Sequence, residues 1–70
     1  MINQSTNKLL RIKDVVNLTG LSKSYIYQLT EQNKFPKQIR LIDGGTSVAW
    51  LEREVQAWIE HRIATRNSNR

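Results

Sequence analysis

The chain has 70 residues, with eleven Lys and Arg against six Asp and Glu, a net charge of +5, and no cysteine. A chain of this length buries only about 60% of its unfolded surface, which argues for one domain and against a deep catalytic pocket. Without thiols, disulfides and thiolate metal sites are excluded and packing alone must hold the core, as in a cytosolic protein, while the basic excess points to nucleic acid or an acidic membrane surface.

The N-terminal stretch MINQSTN is polar, so residues 1–7 are expected to be a flexible end rather than a signal peptide. No later stretch nears the roughly 20 apolar residues of a membrane span. The expectation is a soluble, cytoplasmic protein, folded over residues 8–64, with a second flexible end at 65–70. Within the folded part, Ile12, Val15, Val16 and Thr19 recur at helical spacing, and Gly20 follows as a C-terminal stop. Ser22 then caps a second helix over about 23–32, with Ile26 and Leu29 on its inner face. Asn33 tolerates a left-handed conformation, and Pro36 forbids continuation.

From residue 38 to 50 the pattern changes. Ile39 and Leu41 are expected on one side of a strand and Gln38, Arg40 and Ile42 on the other. Asp43-Gly44-Gly45 turns the chain and TSVAW returns it as a hairpin. A third helix is predicted after Trp50, with Glu52 and Glu54 in its first turn and a buried stripe of Leu51, Val55, Trp58, Ile59 and Arg62 or Ile63. The fold expected is mainly α with a small β-hairpin: a winged helix-turn-helix in the order helix, helix, hairpin, helix.

In such a unit the second helix lies in the major groove of double-stranded DNA. With Ile26 and Leu29 turned inward, Lys23, Ser24, Tyr27, Gln28 and Glu31 form the opposite face. Lys23 suits guanine and Gln28 suits adenine, since each base offers the matching major-groove edge, and Ser24 lies in the base-contacting first turn. Ser22 and the helix N-terminus suit a phosphate, as does the Tyr27 phenol. Glu31 repels phosphate, so the contact is expected to end before it. Along the wing, at about 38–50, and beside it, Lys37, Arg40, Thr46 and Ser47 supply donors to the backbone or minor groove.

The remaining polar and aromatic residues have plainer readings. Phe35, Trp50 and Trp58 are assigned to the core, and Tyr25 is open between packing and a phosphate contact. His61 has no second ligand near it in sequence, and the glutamates accompany no nucleophile or phosphate loop, so no enzyme activity, metal or cofactor is expected.

The segments LLRIKDVVNLTGLSKSYIYQL, FPKQIRL and SVAWLEREVQAWI resemble the AlpA family of small phage-related DNA-binding regulators, relatives of excisionases and of MerR-type domains. The resemblance spans about residues 9–63. It implies a winged helix-turn-helix that regulates prophage or mobile-element genes, associated with the nucleoid when DNA-bound. It places Ser22, Lys23, Ser24, Tyr27 and Gln28 on the recognition helix and Thr46 and Ser47 at the wing. Two positions depart from the pattern: Val16 replaces a small residue, and Thr46 stands where arginine is common.

One such helix reads few base pairs, so cooperative self-association on adjacent sites is expected of a chain that is a monomer in solution and shows no sustained heptad. Integrase or RNA polymerase would be the protein contact. An excisionase-type recombination directionality factor is the alternative function, and a small basic protein-interaction module the second.

Overall fold

The computed structural model describes residues 7–68. The expected flexible N-terminus lies outside the described residues apart from Asn7, as do Asn69 and Arg70. In chain order the elements are β1 (Leu9–Leu10), α1 (Ile12–Thr19), α2 (Lys23–Glu31), β2 (Ile39–Arg40), β3 (Val48–Leu51) and α3 (Glu52–Ser68). The molecule is mainly helical with a small antiparallel sheet, the architecture of a winged helix-turn-helix.

Local chemistry sets the ends of the first two helices. The Arg11 N–H donates to the Asp14 carboxylate at 3.0 Å, closing the first turn of α1. At its other end Gly20 takes φ +77°, a left-handed conformation that a Cβ would strain, and its N–H reaches the Val16 carbonyl at 2.8 Å. The Thr19 hydroxyl donates to the Val15 carbonyl and accepts from the Leu21 N–H, which fixes the short turn. Ser22 then starts α2, its Oγ accepting from the Tyr25 N–H at 3.1 Å.

At the far end of α2, Asn33 sits at φ +61°. Its N–H and that of Lys34 donate back to the carbonyls of Thr30 and Leu29, so the last turn is satisfied without glycine. Replacing Ser22 with Ala is expected to lower stability by about 1 kcal/mol, because one N–H at the start of α2 loses its acceptor. A urea midpoint equal to that of the unchanged protein would remove the cap from this account.

Two indoles tie the segment after α2 to the rest of the molecule. Trp50 is fully buried and donates from Nε1 to the Pro36 carbonyl at 3.0 Å. Trp58 donates to the Lys34 carbonyl at 2.8 Å and meets the ring of Phe35 edge-on, with centroids 4.9 Å apart. Irregular backbone carbonyls near a core need such donors. The core comprises Leu10, Val15, Ile26, Phe35, Trp50 and Val55, one or more from nearly every element.

The sheet differs from the expected hairpin. Its strand order is β1-β3-β2, so a third strand pairs on the far side of β3, with Leu9 opposite Leu51 and Leu10 opposite Trp50. Strand β1 is too short to show alternation, and its pairing is decided by the free edge of β3. The β2–β3 hairpin is present, with Ile39 opposite Ala49 and Arg40 opposite Val48.

Strand β2 ends at Arg40, so the predicted alternation fails beyond it: Leu41 and Ile42 are both exposed, at 37% and 60%. They belong to the wing loop, where the Leu41 N–H donates to the Ser47 carbonyl and the Gly45 N–H to the Ile42 carbonyl. Gly44 takes φ +76° at the tip, the third position of a type II turn.

Helix α3 also departs from expectation at both ends. Leu51 closes β3 rather than opening the helix. Ile63 is 45% exposed and so leaves the buried stripe, which consists of Val55 with the half-buried Trp58 and Ile59. The helix continues to Ser68, past Ala64, because residues 60–68 contain no glycine or proline to stop it.

Candidate nucleic-acid interface

Helix α2 presents two unlike faces. Ile26 is fully buried and Thr30 nearly so, its hydroxyl donating to the Ile26 carbonyl at 2.9 Å, and Leu29 is half-buried beside them. On the other side Lys23, Ser24, Gln28 and Glu31 are exposed. Ser24, Gln28 and Glu31 are spaced at i, i+4 and i+7, which stacks them into one polar ridge along the helix.

The structure moves Tyr27 from its expected place and resolves the open position of Tyr25. Tyr27 is half-buried and packs against the core, its ring centroid 5.9 Å from that of Trp50 at a 50° tilt. It follows Ile26 by only about 100° around the helix, at the border of the buried face, where the large indole reaches it. Tyr25 is the open one, 45% exposed, and its own N–H serves the Ser22 cap. Tyr27 therefore stands on the flank of the outer face instead of at its centre.

An open groove of about 440 Å³ runs beside the ridge, lined by Ser24, Tyr27, Gln28, Thr30, Glu31 and Gln38. Gln38 lies just before β2, so the start of the wing borders the outer face of α2. Sequence reasoning had placed Gln38 only as one term of a strand alternation, and Thr30 not at all. Thr30 lies on α2 itself, while Gln38 comes to its side because β3 holds the returning chain through the β2 pairing and the Trp50–Pro36 bond, which no local signal records.

Lys37 and Arg40 are exposed, Arg40 on the outer strand of the sheet. Thr46 is exposed in the wing loop and Ser47 is half-buried, its carbonyl committed to the Leu41 N–H. Among the described residues the one ion pair is Lys8 with Glu52, at 3.9 Å. Lys23, Lys37 and Arg40 thus carry charge that no carboxylate of the described residues neutralises. Ser22 uses its oxygen as the cap of α2, which leaves its proton for another acceptor.

Chemically this arrangement offers donors and acceptors on a convex helix, with uncommitted cations beside it. His61 is exposed on α3. Among the described residues no group of three or more His, Cys, Asp or Glu is placed to hold a metal ion. No helix of the described residues is long and apolar enough to cross a membrane.

Comparison with known proteins gives two kinds of match. Residues 8–63 match the family described as Prophage CP4-57 regulatory protein (AlpA). The chain is 49% identical over 59 residues to uncharacterized protein ORF88 of Enterobacteria phage P4, covering 84% of this chain and 65% of that protein. It therefore spans a little under two thirds of the length of that phage relative. It is also 32% identical over 68 residues to the DNA-binding transcriptional activator AlpA of Escherichia coli strain K12, covering 89% of this chain and 94% of that protein.

Proposed function

We propose, since the chain belongs to the AlpA family of prophage regulatory proteins, that it is a sequence-specific double-stranded DNA-binding regulator of transcription. In this reading α2 enters the major groove and the β2–β3 hairpin rests on the neighbouring backbone or minor groove. The observation that carries it is the outer face of α2: a polar ridge of Ser24, Gln28 and Glu31 that buries nothing, beside the unneutralised Lys23, Lys37 and Arg40. Lys37, Arg40, Thr46 and the hydroxyls of Ser22, Tyr25 and Tyr27 are the phosphate partners, Ser47 supports the wing from its half-buried place, and Lys23 is placed to donate to a guanine. Ser24 and Gln28 read bases.

A helix of nine residues contacts only a few base pairs, so selection of a promoter requires copies bound side by side on adjacent sites or a protein partner such as RNA polymerase. The test is titration of a labelled duplex between about 50 and 200 mM salt, where each neutralised phosphate contributes about −0.9 to the slope of log affinity against log salt. Replacing Lys37 and Arg40 together with Gln is expected to flatten that slope by about 2. Binding that ignores salt, or a slope unchanged in the double variant, would point to a protein-docking surface instead.

A further inference from the structure

Two residues lining the groove beside α2 carry acceptors that no protein donor meets among the described residues. The Glu31 carboxylate forms no ion pair within the described residues, though the chain carries a net charge of +5. The Gln38 Oε1 is buried without a hydrogen-bond partner, which a folded protein tolerates only at a cost. Both residues line the groove that Ser24 and Gln28 also line. An anionic carboxylate on the DNA-facing ridge repels phosphate, and it is stabilised there only if a donor comes to meet it.

In the major groove such donors are the exocyclic amines. Cytosine shows an amine there and no hydrogen-bond acceptor, whereas adenine couples its amine to the N7 acceptor and guanine shows acceptors alone. An ionised carboxylate, which accepts and never donates, suits cytosine. Resting on the DNA-binding reading above, we infer that Glu31 is a specificity-determining residue that accepts a hydrogen bond from the N4 amine of a cytosine. The contact with DNA then runs the length of the Ser24, Gln28, Glu31 ridge and does not stop short of Glu31.

The experiment is selection from random duplex DNA by the unchanged protein, Glu31→Ala and Glu31→Gln, followed by titration of each enriched duplex with the four bases at every position. Glu31 is exposed, so both variants are expected to keep the fold, which their far-ultraviolet circular dichroism checks. The unchanged protein is expected to prefer cytosine at one position by about tenfold or more. Glu31→Ala abolishes that preference and leaves the others, and Glu31→Gln moves it toward adenine, whose paired donor and acceptor an amide matches. Identical motifs for all three proteins, with Glu31→Ala merely tighter on every duplex, would overturn the inference while leaving DNA recognition intact. Enrichment of no motif by the unchanged protein would overturn both.

Discussion

Replacing Trp50 with Ala is expected to leave the chain largely unfolded at 25 °C. Trp50 is fully buried at the centre of the core, its ring packs against Tyr27 of α2, and its indole nitrogen holds the Pro36 carbonyl at 3.0 Å. Truncating a buried tryptophan costs about 3–5 kcal/mol. A single core in a domain this small supplies rarely more than about 3–5 kcal/mol, so the loss is comparable to the whole.

Trp50→Phe separates packing from hydrogen bonding. It keeps most of the ring and leaves the Pro36 carbonyl without its donor, for an expected loss of about 1–3 kcal/mol and a retained cooperative transition. Circular dichroism melts of both variants provide the check. A Trp50→Ala protein that melts cooperatively near the unchanged temperature would show that the core is centred elsewhere.

Replacing Gln28 with Ala is expected to weaken binding to the preferred duplex by about 1–3 kcal/mol and to relax one base position. Gln28 is exposed at the middle of the α2 ridge and makes no side-chain hydrogen bond among the described residues, so both ends of its amide are available. Its removal leaves no buried group unpaired, and stability should change little.

Substitution of Tyr25 by Phe serves as the contrast. The exposed phenol is assigned to a phosphate, so its loss should weaken preferred and random duplexes alike. Anisotropy titrations with both duplexes distinguish the cases. Equal losses on preferred and random DNA from Gln28→Ala would remove Gln28 from the base-reading residues.

Features set by neighbouring residues could be read from the sequence. Gly20 at a positive φ, the Ser22 cap, Asn33 in the left-handed region and the stop before Pro36 each follow from the chemistry of one residue and its nearest turn. The three helices and the hairpin follow from them and from apolar periodicity. What escaped was decided at a distance. Strand β1 exists because β3 has an edge to offer, and two residues carry no period.

The place of Tyr27 is also decided at a distance. On spacing alone either could stand outside, and the ring of Trp50, distant in the chain, draws Tyr27 inward. Gln38 reads as an ordinary outward residue of a strand, and only the fold carries it to the side of α2, where it lines a groove with Glu31. Helix α3 runs on over the polar residues 65–68, where the Thr65 hydroxyl donates to the His61 carbonyl and no glycine or proline breaks the turn. The exposed Leu41 and Ile42 show a further limit: a two-residue strand does not sustain alternation into its loop.

The central claim is that α2 reads the major groove while the wing lies on the flanking backbone or minor groove. Methylation interference on a duplex enriched by the protein tests it most directly, because methylation at guanine N7 blocks the major groove and methylation at adenine N3 blocks the minor groove. The expected result is loss of binding from N7 methylation within one short run of base pairs, with any effect of N3 methylation confined to the side where the wing lies. Interference from the minor groove alone, or none from either groove, would contradict the placement of α2.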